Sequence, residues 1–101
     1  MKIPKTIKIG WRDYTIKFVE EVLRDENGDL LDAQVNFDNR IIYIDNNIFF
    51  NDEKIIKCLH EVWHVIFKNQ WHSEWCDNED LVDACAEGLF QLVRDNPGMF
   101  K

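Results

Sequence analysis

The chain has few cysteines, no long apolar run and no excess of basic residues, and each shortage narrows what it can be. Its three cysteines, Cys58, Cys76 and Cys85, are odd in number and form no C-x-x-C pair. That argues against a disulfide framework and is expected of reduced thiols in a cytosolic protein. No apolar run approaches the roughly 18 residues of a membrane span. The opening MKIPKTIKIGWRD alternates polar and apolar residues, which predicts no signal peptide. Lys and Arg total 12 against 19 Asp and Glu, for a net charge of −7. Such a balance disfavours nucleic acid and anionic membrane surfaces as partners, because both ask for Lys and Arg. Repeats, low-complexity tracts and linkers are also lacking, so residues 1–101 read as a single domain with one modest core.

Hydrophobic residues make up 46% of the chain and aromatics 13%, as in a globular protein. Thr6–Gly10 and Tyr14–Glu20 alternate with period two, placing Ile7, Ile9, Ile16 and Phe18 inward, and Gly10-Trp11-Arg12-Asp13 between them reads as a hairpin connection. Asp25-Glu26-Asn27-Gly28-Asp29 is a turn-rich acidic loop that lacks the rest of a calcium-binding pattern. Ala33–Phe37 and Ile41–Asp45 are two further strands, joined across Asp38-Asn39-Arg40. Two helices follow, one from an N-cap at Asn51 to about Gln70 and one from about Asn78 to Asn96, where Asn96-Pro97-Gly98 ends it. The expected architecture is α+β: a small antiparallel sheet of three to four strands packed on two C-terminal helices.

The first helix carries His60-Glu61-Val62-Trp63-His64, an H-E-x-x-H motif. Residues four apart lie on one face of a helix, so both imidazoles can grip a single metal ion while Glu61 stands beside them as a general base. Neutral imidazole suits zinc. On a helical wheel, Ile55, Ile56, Leu59, Val62, Trp63 and Ile66 form the core stripe, His60 and His64 lie on its margin, and Glu61 lies farther round.

A catalytic zinc ordinarily has three protein ligands. The extended pattern with a third histidine needs Gly at position 67 and His at 70, where this chain has Phe67 and Gln70. His72 has no supporting spacing. The second helix offers Glu79 and Asp83 on one flank of its apolar stripe, whereas Asp80 and Glu87 point outward. Both Glu79 and Asp83 remain open on these grounds.

H-E-V-W-H, followed some twenty residues later by L-V-D-A-C-A-E-G-L-F, resembles the ImmA/IrrE family of phage and prophage zinc metallopeptidases, and in particular its short stand-alone members. The resemblance implies a minimal zincin core, a cytoplasmic setting in a bacterial host, and hydrolysis of a peptide bond in a regulatory protein. It also implies a third zinc ligand at Asp83, which is followed by Ala84 as the family's glutamate is followed by alanine. The aspartate is a departure, one methylene shorter than the family's residue. The expected site is therefore Zn2+ held by His60, His64 and Asp83, with Glu61 as the catalytic base. Tyr43 and His72 are candidate oxyanion donors by chemistry alone, and an exposed edge strand, Ala33–Phe37 or Ile41–Asp45, is a candidate seat for an extended peptide.

The competing expectation is a non-catalytic binder that keeps the zincin core and occupies a host protein; a third is an α+β domain whose histidines hold nothing. Cys58 and Cys85 are expected as core thiols, with Cys76 in a loop that could expose it. Trp11 and Trp63 are expected to pack. Trp71, His72 and Trp75 are expected to cap the core or to wall a cleft.

Overall fold

The computed structural model describes residues 2–100. Six strands precede three helices: β1 (Thr6–Ile9), β2 (Arg12–Val19), β3 (Leu23–Arg24), β4 (Leu30–Leu31), β5 (Ala33–Asn36), β6 (Ile41–Asp45), α1 (Asn51–Asn69), α2 (Ser73–Cys76) and α3 (Glu79–Asp95), with a closing 3-10 turn at Pro97–Phe100. The class is α+β. Among the described residues no helix is long and apolar enough to cross a membrane.

β1 and β2 form the expected hairpin, with Ile9 paired to Arg12 and Gly10 at φ 66°, a left-handed turn position that glycine adopts without a Cβ clash. The main sheet has the order β1-β2-β6-β5, and β3 and β4 form a separate two-stranded ribbon over the acidic loop. The sheet is mixed rather than wholly antiparallel. β5 turns directly back into β6, and β6 then lies beside β2 in the same direction, with Ile16 opposite Ile42 and Phe18 opposite Ile44. Period-two alternation gives a strand's faces but not its direction. That is why the parallel pair was not foreseen.

One face of the sheet, through Ile9, Tyr14, Ile16, Ile42 and Ile44, packs on Cys58, Val62 and Val65 of α1. Tyr14 is nearly fully buried while Phe18 is exposed, the reverse of the expected emphasis in β2. α3 covers a second face of α1 and buries Val82, Ala86 and Phe90. α1 begins one residue earlier than expected: Phe50 is the N-cap without a side-chain bond, and Asn51 is the first helical residue. Asn78 caps α3, its side chain accepting from Leu81 N at 3.0 Å.

Ile44 sits on a central strand with no exposed surface. Ile44→Ala is expected to cost about 2–5 kcal/mol of stability, read as a lower urea midpoint with an unchanged slope. A loss under about 1 kcal/mol would place this strand outside the core.

Candidate metal centre

α1 presents His60 and His64 one turn apart on a single face, with Nε2 atoms 3.1 Å apart and ring centroids 4.8 Å apart. α3 packs beside α1 and brings up two carboxylates. Glu79, at the first position of α3, spans both imidazoles: Oε2 lies 2.8 Å from His60 Nε2 and Oε1 lies 3.2 Å from His64 Nε2. Asp83, one turn further along, meets the other side of His60, with Oδ1 2.7 Å from Nδ1. Behind His64, the Cys76 thiol donates to the His64 carbonyl at 3.4 Å and lies 3.6 Å from His64 Nδ1.

The motif residues and both candidate carboxylates thus converge, Glu79 at the two Nε2 atoms and Asp83 at His60 Nδ1. The ligating atoms that meet are the two Nε2 nitrogens and a carboxylate oxygen of Glu79, all within 4.8 Å of one another. Asp83 is a short side chain placed one turn along α3, and it reaches His60 from the Nδ1 side. Of the two carboxylates weighed from the sequence, Glu79 meets both Nε2 atoms and Asp83 meets only His60 Nδ1.

The donor set fits a zinc ion. A neutral imidazole carries one N–H. When His60 gives that proton from Nδ1 to Asp83, its Nε2 lone pair faces the Glu79 carboxylate at 2.8 Å, and a cation between them would satisfy both. Two histidines and a glutamate are a known catalytic zinc set.

Glu61 departs most from expectation. It is 7% exposed, the only buried charged residue among those described. Its carboxyl is pushed up from 4.5 to about 8, chiefly by burial, then by the charge of Glu79, with Lys57 opposing. The wheel placed it away from the apolar stripe because the wheel counts only α1's own stripe, and α1 is covered on two faces. Cys58 is buried as expected and its thiol is pushed up to about 11, mainly by burial and then by Glu61. Burial likewise raises the Cys76 thiol. Its contact with His64, twelve residues away, follows no helical or strand period, and the sequence gives no signal of it.

The cluster opens into a groove of about 950 Å3 that β5 also lines, through Ala33, Gln34 and Val35. β5 is an edge strand of the sheet and β6 is not, so only the first of the two candidate peptide seats has a free side. Neither Tyr43 nor His72 lines this groove. His72 stacks on Trp75 with ring centroids 3.6 Å apart, and Trp75 packs edge-on against Phe67 at 5.7 Å. The loop aromatics are therefore divided: His72 and Trp75 cap α1, whereas Trp71 stands 92% exposed. Trp11, expected to pack, is 75% exposed. Compared with known proteins, the chain matches no protein-family model, no curated protein and no solved structure.

Proposed function

We propose that this chain is a small zinc-dependent peptidase, with His60, His64 and Glu79 as metal ligands and Glu61 as general base. The observation that carries the reading is the meeting of both Nε2 atoms with the Glu79 carboxylate, next to a buried carboxyl, in a groove bordered by an edge strand. Zinc, when bound there, lowers the pKa of a water molecule towards about 7 and polarises a carbonyl.

The chain's own groups supply the rest. Glu61, buried beside Glu79, takes the proton of the attacking water in its ionised form and passes it to the departing amine nitrogen. Asp83 holds the Nδ1–H of His60, which fixes the tautomer that leaves Nε2 free. Cys76 braces His64 from behind. The free side of β5 offers main-chain partners to an extended peptide, so the substrate is a flexible protein segment. The resemblance of the H-E-x-x-H helix and the following helix to phage metallopeptidases supports reading that segment as part of a regulatory protein of a phage or its bacterial host.

The test uses untagged protein with zinc measured by elemental analysis, and cleavage of β-casein followed by mass spectrometry. Glu61→Gln is expected to retain about one zinc per chain and to lose cleavage by about 10²–10⁴-fold. Cleavage that survives the substitution, or no zinc in wild type, would sink the peptidase reading.

A further inference from the structure

A second groove, of about 1000 Å3, runs between the β1–β2 turn and the C-terminal end of α1 and adjoins the first at Phe37. Its chemistry is unlike that of the rest of the chain. The protein is acidic overall, yet this groove is lined by Arg12 and Lys68 with Asp38 the sole carboxylate. Arg40 stands at its margin, against Trp11. The cations are spread over aromatic rings: the Arg12 guanidinium lies 4.4 Å and that of Arg40 5.8 Å from the centre of Trp11, and Lys68 Nζ lies 3.9 Å from that of Phe37. Arg12 Nε is shut off from solvent without a hydrogen-bond partner among the described residues. The ion pairs of Lys and Arg found there lie elsewhere, at Lys57–Asp32 and Arg94–Asp95.

Trp71 makes the groove more than an accident of composition. It closes α1 in a Schellman turn, with Trp71 N bonded to Lys68 O at 3.1 Å and His72 N to Phe67 O at 3.0 Å. The residue at this position takes a left-handed conformation, and Trp71 has φ 63°. Glycine adopts it freely; a bulky side chain does so at a cost of about 1 kcal/mol or more. The indole recovers little of that cost within the fold, since it is almost wholly in solvent. Exposed tryptophans beside arginines are the commonest anchors of protein interfaces.

We infer that this groove is a docking site for an acidic peptide segment with interspersed apolar side chains, its carboxylates meeting Arg12, Arg40 and Lys68 and its apolar groups lying on Trp11 and Trp71. The site contains none of the residues of the proposed metal centre, although Phe37 lines both grooves. A long polyanion is disfavoured, because three cations on a chain of net charge −7 cannot offset a phosphate backbone.

The test is fluorescence anisotropy with a labelled, blocked peptide of about ten residues in which glutamate alternates with leucine and serine, alongside its lysine-for-glutamate analogue and a labelled oligothymidine. The acidic peptide is expected to bind at least about tenfold more tightly than the basic one and to weaken with salt. Trp71→Gly and Lys68→Glu are each expected to weaken it by about tenfold or more. Because glycine suits the turn, Trp71→Gly should hold or raise the melting temperature by a few degrees, which separates lost docking from lost folding. Equal binding of the two peptides, binding unchanged in Trp71→Gly, preference for the oligonucleotide, or a wild-type dimer in ultracentrifugation that Trp71→Gly dissociates would each overturn the assignment.

Discussion

Glu79→Ala is expected to abolish stoichiometric zinc binding, whereas Asp83→Ala is expected to keep one zinc and weaken it by about 10–100-fold. The difference follows from which nitrogen each carboxylate meets. Glu79 contacts the Nε2 atoms of both histidines and so supplies a donor atom and a negative charge at the point where they converge. Asp83 contacts only His60 Nδ1 and acts through the tautomer and angle of that ring. Competition against a chromophoric chelator measures the affinities directly. Thermal melts give an independent reading: zinc at about 1,000 times its Kd should stabilise the wild type by roughly 4 kcal/mol, a rise of more than about 10 °C for a domain of this size. Glu79→Ala should show no such rise. The opposite ranking, with zinc lost in Asp83→Ala and kept in Glu79→Ala, would return Asp83 to the ligand set.

That pair also marks how far the sequence could be read. His60 and His64 were legible because four-residue spacing on a helix is a local rule that needs no knowledge of the fold. The wheel of α3 narrowed its acidic residues to Glu79 and Asp83 for the same reason. Choosing between them depends on how close α1 and α3 approach and on side-chain reach, and neither is written in periodicity. The resemblance to phage metallopeptidases pointed to Asp83, and the packing of α3 puts Glu79 on the Nε2 side instead.

The limits elsewhere have the same origin. The sequence pattern places strands β1, β5 and β6 within one residue and β2 within two, since Arg12 and Asp13 belong to β2 and not to the turn, but β6 runs parallel to β2 because β5 intervenes in the chain and not between them in the sheet. Glu61 falls farther round than the margin of the one apolar stripe that a wheel knows; a helix covered by both a sheet and another helix has a second buried face. Trp71 carried no sequence sign of its left-handed backbone, since glycine is the residue that announces such a turn.

The burial of Glu61 carries the second large prediction, that Glu61→Gln removes a pH-dependent weakness from the metal-free fold. With chelator present, the folded carboxyl holds its proton up to about 8, against an ordinary value of 4.5. Between those limits the folded chain keeps a proton that the unfolded chain has released, so stability falls as pH rises; below 4.5 and above 8 this group adds no slope. The expected loss is about 1.4 kcal/mol per pH unit inside the window, or up to roughly 5 kcal/mol across it. Glu79 on α3 reinforces the effect and Lys57 on α1 opposes it; Cys58, His60, His64 and Cys76 complete the ionisable neighbourhood and are unchanged in the variant. Glutamine has no proton to lose, and its own burial offsets the whole curve without tilting it. Urea melts of both proteins from about pH 5 to pH 9 should therefore diverge in slope, with wild type the steeper. Parallel curves would mean that the carboxyl reaches water, and would remove the physical basis for a base tuned to neutral pH. The burial and the weakness are one property: a carboxyl kept from solvent beside Glu79 holds its proton through neutral pH in the metal-free fold, and a cation bound at the nearby Nε2 atoms would favour the ionised form that a base needs.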